Sequence, residues 1–283
     1  MSGCRLVRTA KEIGNPRGIF VPTMGALHEG HASLIRRAAA LRDADVAAGE
    51  PRRAVIVSVF VNRTQFNDPA DFNRYPKTLE SDLLICQSAG ADCVYAPDQD
   101  DVYPPGLLVP VPPLPAAAAG PGLEDALRPG HFAGVCQVVN RLFVLVKPSA
   151  AVFGEKDWQQ LTVLEAMTLQ QRLPIEIIPG HTIREPDGLA MSSRNRFLSP
   201  AERATAPAVF QALAGAGTES TPAAAEAHMQ RVLTAAGLQV QYAAVRDAQS
   251  LLAVQPGQPA RALIACKLGS IRLIDNARWP LMT

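Results

Sequence analysis

The sequence GIFVPTMGALHEGH occupies residues 18–31. Its first five residues form a continuous apolar run with β-branched side chains, which predicts a strand buried on both faces. Gly25 and Gly30 then let the backbone approach a ligand closely, and the start of the following helix offers unpaired N–H groups and a positive dipole end. The stretch therefore predicts a strand, a ligand-binding turn and a helix N-terminus suited to phosphate.

Four further apolar runs predict a parallel sheet in the first 180 residues. They are mostly continuous rather than alternating, as is typical of strands covered on both faces; the runs are Ala54–Val61, Asp92–Ala96, Ala150–Phe153 and Ile175–Ile178. Helical patterns lie between them, at His31–Asp45, Phe132–Lys147 and Lys156–Leu173. Alternating strands and helices predict right-handed βαβ units and therefore an α/β fold built on a doubly wound, Rossmann-like parallel sheet.

Residues 181–283 have a different pattern, which predicts a smaller α+β domain. A capping box, Ser199-Pro-Ala-Glu202, starts a helix of about four turns, and Thr221-Pro222 starts a second helix that Gly237 ends. Three strands then follow, at Gln239–Val245, Ala262–Lys267 and Ile271–Ile274. Strands in direct succession favour a largely antiparallel sheet, so we divide the chain into domains of residues 1–180 and 181–283.

Composition and charge exclude several classes of protein. Lys and Arg number 27 and Asp and Glu number 26, so the formal charge is +1, whereas a protein that binds nucleic acid through bulk charge usually carries a clear basic excess. No apolar run approaches the roughly 18–20 residues of a membrane helix, and the N-terminus lacks the apolar core of a signal peptide. The five cysteines are dispersed and form no C-x-x-C motif. We therefore expect a soluble, cytoplasmic protein with reduced thiols and no nucleic-acid or membrane partner.

Two histidines of the first motif are the strongest candidates for chemistry. His28 and His31 lie at the predicted helix start, where both can donate hydrogen bonds to phosphoryl oxygens. Two other interpretations stay open. The pair could be ordinary surface histidines, or it could be half of a metal site, although no partner cluster of Cys, His or Asp accompanies it.

The motif T-x-G-x-x-H-x-G-H at residues 23–31 resembles the H-I-G-H signature of nucleotidylyltransferases and class I aminoacyl-tRNA synthetases. In these enzymes the α-phosphate of ATP is attacked and pyrophosphate leaves. Four further segments narrow the resemblance: FVNRTQF (60–66), RPGHFAGV (128–135), FGEKDWQQL (153–161) and REPDGLAMSSRN (184–195). With these segments in this order and spacing, nearly the whole chain resembles the pantoate–β-alanine ligases (pantothenate synthetases).

The resemblance implies an ATP-dependent ligase. It would condense (R)-pantoate with β-alanine through a pantoyl adenylate and release AMP and diphosphate, with ATP as substrate, Mg²⁺ as cofactor and a homodimer as the assembly. No covalent enzyme intermediate is required, which agrees with the lack of a Ser/His/Asp or Cys/His constellation. Catalysis would come from positioning anionic reactants and neutralising phosphates, under a lid carried by residues 181–283 that excludes water.

The resemblance also assigns roles to individual residues. Catalytic roles go to His28, to Lys156 and to His31, which would be the acid or hydrogen-bond donor to the transferring phosphate. ATP would contact these three and the following residues: Met24, Gly25, Ala26, Leu27, Glu29, Gly30, Gly154, Glu155, Asp157, Ile183, Met191, Ser192, Ser193 and Arg194. Pantoate would contact Asn62, Gln65, Val138, Val139 and Gln160, and β-alanine would contact Gln65. Asp82 resembles an acidic position of the family near the magnesium ion.

Residue chemistry supports part of this assignment. Lys156 follows a predicted strand, at the edge where α/β sheets bind ligands, and supplies a point charge for phosphate; a solvated lysine is the plain alternative. Met191–Arg194 is the counterpart of the mobile K-M-S-K-S loop and offers two hydroxyls and a guanidinium to the β- and γ-phosphates. Gln65 and Gln160 are uncharged amides that orient a carboxylate or hydroxyl without changing its ionisation.

The chain departs from the family pattern at several positions. Arg63 replaces the usual proline, and Gln137 and Arg141 replace the usual threonine and lysine. Residues 103–129 hold eight prolines and an Ala116–Ala119 tract, which favours a long ordered loop over a site rather than a flexible linker. We expect these departures to affect the pantoate pocket, the loop path or the dimer surface rather than the phosphate site.

Three other functions are compatible with parts of the sequence. An adenylyl- or cytidylyltransferase with another acceptor would share the motif at residues 23–31. An RNA-binding, synthetase-like module is opposed by the near-zero net charge and by the lack of a basic face studded with aromatic residues. A non-catalytic metal-binding protein would be built around His28 and His31.

Overall fold

A six-stranded parallel sheet forms the larger part of the molecule. The computed structural model describes residues 3–14, 17–65, 72–73 and 75–280. In chain order the strands are β1 (Arg5–Val7), β2 (Ile19–Thr23), β3 (Val55–Val59), β4 (Cys93–Tyr95), β5 (Ala150–Gly154) and β6 (Glu176–Gly180). They lie in the order β1-β4-β3-β2-β5-β6, and neighbouring strands are parallel throughout. The predicted doubly wound α/β sheet is confirmed.

Helices cover both faces of this sheet. They are α1 (Ala10–Ile13), α2 (Glu29–Ala47), α3 (Leu79–Ser88), α4 (Gln99–Val102), α5 (Glu124–Leu127), α6 (His131–Val146) and α7 (Trp158–Gln170). One apolar core includes Ile35 of α2 and Cys86 of α3, and another includes Phe143 of α6 and Met167 of α7. Burial on both faces explains why the strands are continuous apolar runs. Within the described residues, no helix is both long and apolar enough to cross a membrane.

The element boundaries differ from the predictions in several places. β1 is not among the predicted strands, because three residues are too few to show a period. The strand predicted for residues 54–61 ends at Val59, and the chain leaves the sheet there. α2 begins at Glu29, two residues earlier than predicted, because the side chain of His28 caps it. The helix predicted from Lys156 starts as a 3₁₀ turn, Glu155–Asp157, that precedes α7.

The strand order reverses beside β2, and this reversal positions the candidate site. β3 and β4 extend the sheet on one side of β2, whereas β5 and β6 extend it on the other side. Open α/β sheets bind ligands in the crevice outside the carboxyl ends of the strands at such a point. Thr23 ends β2 and Gly154 ends β5. The motifs at residues 23–31 and 153–161 therefore meet at the same edge.

The chain beyond β6 forms a second sheet with its own apolar core. β7 (Gln239–Asp247), β8 (Ala260–Leu268) and β9 (Ile271–Trp279) pair antiparallel in that order. Two helices, α9 (Ala208–Ala216) and α10 (Pro222–Ala235), share this core with the sheet, and a short helix, α8 (Pro200–Thr205), precedes them. The predicted α+β arrangement is confirmed, with one correction. The four-turn helix predicted from Ser199 is two helices, because Pro207 lacks the N–H that would continue the ladder of α8.

The Pro-rich segment 103–129 follows a defined path against α6 and α7. Gln137 of α6 donates a hydrogen bond to the carbonyl oxygen of Val109 at 2.7 Å, and Arg141 donates to that of Val102 at 2.7 Å. Gln137 thus holds the loop against α6, and Arg141 holds the end of α4 immediately before the loop. Neither side chain lines the cavity that contains most of the predicted site residues.

Candidate active site

A cavity of about 240 Å³ lies at the carboxyl ends of β2 and β5. Its wall includes the turn after β2 and the start of α2, the residues after β3, one face of α6, the turn after β5 with the start of α7, and the segment 181–194. The predicted site residues in its lining are Met24, His28, Gly30, His31, Asn62, Gln65, Val138, Val139, Gly154, Lys156, Asp157, Gln160, Ile183, Met191, Ser192, Ser193 and Arg194. The fold brings the predicted phosphate and acceptor residues to one place.

A buried carboxylate holds the turn after β2. Gly25 and Ala26 have φ angles of +85° and +52°, so both lie in the left-handed region. Asp82 of α3 is 1 % exposed and accepts hydrogen bonds from the backbone N–H of Ala26 at 3.1 Å and of Leu27 at 2.8 Å. This geometry favours a structural role for Asp82 over the predicted contact with magnesium, because both carboxylate oxygens accept hydrogen bonds from the turn and the side chain does not line the cavity.

The two motif histidines have defined tautomers. The backbone N–H of Gly30 donates to His28 Nδ1 at 3.1 Å, and the backbone N–H of His28 donates to His31 Nδ1 at 3.3 Å. Because each Nδ1 is an acceptor, the proton of each neutral ring is on Nε2. The ring centroids lie 4.2 Å apart, and both residues line the cavity. The pair therefore has two Nε2–H donors for a ligand.

Both histidines are neutral at physiological pH. Burial, followed by His28 and Lys156, lowers the pKa of His31 to about 3. Burial, followed by Lys156 and Arg196, lowers the pKa of His28 to about 4. Of the two roles predicted for His31, these pKa values favour the hydrogen-bond donor over the acid in the free protein. A bound polyanion would raise both pKa values, because negative charge stabilises the imidazolium.

The turn after β5 brings charged side chains of both signs to the cavity. Lys156 and Asp157 belong to the 3₁₀ turn that follows Gly154. Desolvation raises the pKa of Asp157, but Lys156, Arg194 and Arg128 together lower it by more, so the carboxylate stays ionised at neutral pH. Arg194 comes from a separate part of the lining, in the 3₁₀ segment Ser193–Phe197. Cations from two separate elements thus flank one space, as polyphosphate binding requires.

An amide network orients Gln65 at the cavity wall. Asn62 is 1 % exposed, and its Nδ2 donates to the carbonyl oxygen of Gly134 at 3.3 Å and to Gln65 Oε1 at 3.4 Å. The hydroxyl of Tyr103 donates to Asn62 Oδ1 at 3.2 Å, which ties the start of the Pro-rich segment to this network. Asn62 therefore supports Gln65 from behind, and Gln65 presents its amide beside Met24.

His131 connects the same network to Arg128. Its Nδ1–H donates to the carbonyl oxygen of Gln65 at 3.0 Å, so its Nε2 accepts from Arg128 Nη1 at 3.0 Å. Burial, followed by Arg128, lowers the pKa of His131 to about 4, and the ring is neutral. This histidine belongs to the motif at residues 128–135, but the sequence predicts no role for it. Its contacts with two site residues depend on tertiary packing and leave no signal in the spacing.

Six predicted site residues lie outside the cavity lining. They are Gly25, Ala26, Leu27, Glu29, Asp82 and Glu155. The first three form the turn whose backbone Asp82 holds. Glu29 is directed to solvent and pairs with Arg36, while Glu155 pairs with Arg261 at 3.1 Å. A motif position in the first turn of a helix does not by itself direct a side chain toward the ligand, since adjacent helical residues point in different directions.

The structure adds lining residues that the sequence patterns did not single out. The apolar and aromatic ones include Leu34, Phe60, Val135, Leu142, Val152 and Phe153; the polar ones include Tyr75, His181 and Thr182. Tyr75 also donates its hydroxyl to the carbonyl oxygen of Gly25 at 3.3 Å. Arg63 lies over the ring of Phe72, 6.0 Å from its centroid, and adds no cation to the lining. Phe66, the last residue of the quoted 60–66 motif, is outside the described residues.

A second cavity, of about 330 Å³, adjoins the first. Lys156 and Arg194 belong to the linings of both cavities. Arg128, Lys267 of β8 and Arg272 of β9 add positive charge to the second one. The antiparallel sheet therefore forms part of the surroundings of the phosphate-binding residues.

Comparison with known proteins identifies the family. The model of the pantoate-beta-alanine ligase family matches residues 4–278. The chain belongs to the pantoate–β-alanine ligase family. Similar relatives include the pantothenate synthetase of Nocardioides sp., 46 % identical over 98 % of this chain and 82 % of that protein, and that of Rubrobacter xylanophilus, 47 % identical over 92 % and 90 %.

Solved structures of pantoate–β-alanine ligases have the same fold. The pantothenate synthetase of Thermus thermophilus superposes with a TM-score of 0.88 at 38 % identity, and the match covers 98 % of this chain and all of that one. The enzyme of Francisella tularensis, solved in complex with beta-gamma ATP and β-alanine, gives a TM-score of 0.76 at 32 % identity over 97 % of each chain. The motifs at residues 23–31, 60–66, 128–135, 153–161 and 184–195 thus identify the family correctly.

Proposed function

We propose that the chain condenses pantoate with β-alanine in the cavity at the carboxyl edge of β2 and β5, using ATP. The observation that carries this proposal is the convergence, in one cavity, of the two Nε2–H donors of His28 and His31 with the cations Lys156 and Arg194. A family member from Francisella tularensis has been solved with an ATP analogue and β-alanine, which supports the same ligands here.

The first step is adenylation of pantoate. A carboxylate oxygen of pantoate attacks the α-phosphorus of ATP, a new O–P bond forms, and the P–O bond to diphosphate breaks. His31 Nε2–H stabilises the charge that develops on the α-phosphate, while Lys156, Ser192, Ser193 and Arg194 neutralise the leaving diphosphate. The adjoining cavity, with Lys267 and Arg272, lies where diphosphate could leave without crossing the acceptor pocket.

The pantoate pocket lies between α6 and the start of α7. Val138 and Val139 supply an apolar wall for a branched acid, and the amides of Gln65 and Gln160 supply donors for its carboxylate and hydroxyl groups. Uncharged donors suit this task, because the carboxylate must stay ionised and nucleophilic. Asn62 contributes through its hydrogen bond to Gln65.

The second step transfers the pantoyl group to β-alanine. The amine of β-alanine attacks the carbonyl carbon of the pantoyl adenylate, a C–N bond forms, the C–O bond to AMP breaks, and a proton is released to solvent. Gln65 is the residue we assign to β-alanine as well as pantoate. The mixed anhydride hydrolyses when wetted, so residues 181–283, with the Met191–Arg194 loop, act in this proposal as a lid domain over residues 1–180.

Magnesium enters this reaction as part of the Mg·ATP substrate. Among the described residues no group of three or more His, Cys, Asp or Glu side chains could hold a metal ion. Mg²⁺ that is bound mainly by phosphates needs only one or two protein carboxylates, and Asp157 is the ionised carboxylate in the cavity lining. The residues thus fit a metal that arrives with the nucleotide better than a resident metal site.

The assembly and the compartment are further parts of the proposal. Leu107, Leu108 and Val111 are 52 %, 87 % and 46 % exposed on the Pro-rich segment, and burial of this apolar surface would favour the homodimer expected for the family. Sedimentation equilibrium tests this, and a monomer at micromolar concentration would contradict it. All five cysteines are free thiols, which suits the reducing cytoplasm that we propose as the compartment.

The deciding experiment is exchange of labelled diphosphate into ATP with Mg²⁺ and without β-alanine. We expect exchange with pantoate, none without it, and formation of pantothenate and AMP once β-alanine is added. Exchange with a different acid, and none with pantoate, would support the assignment of the ATP site and contradict the assignment of pantoate as the acid that is adenylated. No exchange with any acid of a panel would overturn the adenylation.

A matched pair of variants tests the acceptor pocket. Gln160→Ala should raise the KM for pantoate at least about 10-fold, because a donor to the carboxylate is lost. Gln170→Ala, at an exposed position of the same helix, should leave the KM unchanged.

A further inference from the structure

Asn276 of β9 is bonded to the turn that carries Lys156. Its Nδ2 donates to the carbonyl oxygens of Glu155 and Lys156, each at 2.9 Å. Asn276 is 4 % exposed, so water does not compete for these bonds. One side chain from the antiparallel sheet therefore holds two consecutive carbonyl groups of the 3₁₀ turn at the end of β5.

Arg261 of β8 fixes the orientation of this amide. Its Nε donates to Asn276 Oδ1 at 2.6 Å, and because arginine has no acceptor, the amide oxygen must face it and the amide N–H groups must face the turn. Arg261 is 5 % exposed and also pairs with Glu155 Oε2 at 3.1 Å. Its guanidinium carbon lies 3.4 Å from the ring centroid of Trp158, the first residue of α7. The Arg261–Asn276 pair thus contacts Glu155 and Lys156 of the turn and Trp158 at the start of α7.

The neighbouring residue of β9 contacts the segment that leads into the Met191–Arg194 loop. Asp275 is 3 % exposed and accepts hydrogen bonds from Arg184 Nη1 at 2.6 Å and Nη2 at 3.1 Å. Arg184 forms an isolated β-bridge with Ala190, immediately before the Met191–Arg194 loop. The dipeptide Asp275-Asn276 therefore contacts both segments that carry the cations of the phosphate site.

We propose that Asn276 is a positioning residue for the adenylation step, an inference that rests on the function proposed above. It does not line the cavity at the carboxyl ends of β2 and β5, so we assign it no direct contact with the ligand there. By holding the carbonyl groups of Glu155 and Lys156, it fixes the direction in which the side chain of Lys156 leaves the turn. A misplacement of about 1 Å in a catalytic group can cost about 100-fold in rate.

The chemistry of the contact explains why an asparagine occupies this position. An aspartate would place a carboxylate oxygen against two carbonyl oxygens, which is repulsive. An alanine or a serine cannot donate to both carbonyl groups while accepting from Arg261. A side chain with two donors on one atom and an acceptor on the other is required, at the length of asparagine.

The test is a double-mutant cycle between Asn276→Ala and Lys156→Ala, read as kcat for the pantoate-dependent exchange and as Kd for a non-hydrolysable ATP analogue. We expect Asn276→Ala alone to lower kcat by about 10- to 100-fold and to raise Kd only a few-fold. Asn276→Asp should lower kcat at least as much. In the Lys156→Ala background, Asn276→Ala should have little further effect on either quantity, because the group that it positions is already absent.

Two results would overturn the positioning role. If the losses in kcat multiply in the double variant, Asn276 acts independently of Lys156. If kcat is unchanged in Asn276→Ala, the turn keeps its conformation without the Asn276 side chain. Met229→Ala, in the core of α10, controls for loss of stability in the second sheet and should leave both kcat and Kd unchanged. If the wild-type protein shows no exchange, the proposed reaction fails by itself, and the Kd arm of the cycle still decides whether Asn276 acts through Lys156.

Discussion

The backbone N–H of His28 lies 3.3 Å from Nδ1 of His31 and donates a hydrogen bond to it. The reciprocal bond, from the backbone N–H of Gly30 to His28 Nδ1, completes a capping arrangement at the start of α2. Both ring nitrogens that face the helix are thereby occupied, and both Nε2–H groups are left for the cavity. The interaction that caps α2 thus also selects the donor atoms of the candidate active site.

Replacement of His31 by alanine should lower turnover at least about 100-fold, comparable to the loss of an oxyanion-type donor. Steady-state kinetics of the complete reaction measure this loss, and circular dichroism verifies the fold. His228→Ala, which removes a histidine from α10, is the matched control and should retain full turnover. Near-normal turnover of His31→Ala would contradict the proposed role of His31 in stabilising the α-phosphate.

Stability should fall as the solution becomes acidic. His131 has a pKa of about 4 in the folded protein, against about 6.5 in an unfolded chain. Between these two pH values the unfolded state binds more protons, so the free energy of unfolding decreases as pH falls from about 6.5 to about 4. The stabilising contribution of the neutral His131 is complete above about pH 6.5. The difference corresponds to about 3 kcal/mol for this residue alone, and His28 and His31 act in the same direction.

Urea unfolding at pH 7.5 and at pH 5 measures this effect. The variant His131→Gln should be less stable at pH 7.5 and should lose less additional stability on acidification than the wild type, because it has no imidazole to protonate. If the two proteins lost the same amount of stability between pH 7.5 and pH 5, protonation of His131 would not be a cause of the acid sensitivity.

Local sequence patterns were sufficient to predict most of the parallel sheet and the part of the cavity lining that lies in residues 23–31 and after β5. Residues 18–31 are contiguous, so their strand, turn and helix start follow from local chemistry. Lys156 was predicted in the same way, because it lies three residues after a continuous apolar run that ends at Phe153. The resemblance to the ligase family then supplied Gln65, Gln160 and the loop at Met191–Arg194, which have no distinctive chemistry of their own.

The contacts between distant elements could not be predicted. Asp82 is 55 residues from Leu27 in the sequence, and only the packing of α3 beside the turn shows that its carboxylate binds backbone N–H groups. The contact of His131 could not be predicted for the same reason, because its partner is the carbonyl group of Gln65 rather than a side chain. Asn276 lies on a strand of the other sheet. In each case the deciding partner is a backbone group, which sequence patterns do not identify.

Replacement of Asp82 by asparagine separates its structural role from metal binding. The amide keeps one oxygen acceptor and presents N–H to a turn that offers only donors, so we expect a loss of about 1–3 kcal/mol in the free energy of unfolding. We also expect a higher KM for ATP, because the turn connects Met24 and His28, which both line the cavity. The concentration of Mg²⁺ that gives half-maximal activity at saturating ATP should stay within about twofold of the wild-type value. A much larger shift in that concentration would restore the metal-ligand assignment.

Replacement of Gly134 by alanine should damage the acceptor pocket selectively. A Cβ at this position would lie 2.4 Å from the carbonyl oxygen of Thr64 and 2.9 Å from Cα of Gln65, so the turn that carries Gln65 must move. In an unobstructed helix, alanine would gain about 1 kcal/mol over glycine, but here the clash with backbone should outweigh that gain. We expect a KM for pantoate raised at least about 10-fold and a KM for ATP within about twofold of the wild type.

Gly49→Ala is the matched control for this prediction. Gly49 has φ +79°, and a Cβ added there would have no heavy atom within 4 Å, so alanine costs stability through backbone strain alone. Its KM values for pantoate and ATP should both equal those of the wild type. A similar rise in both KM values for Gly134→Ala would contradict this prediction. It would mean that the close approach of α6 to residues 63–65 supports the whole cavity, because displacement of Gln65 alone cannot weaken contacts of the phosphates with Lys156 and Arg194.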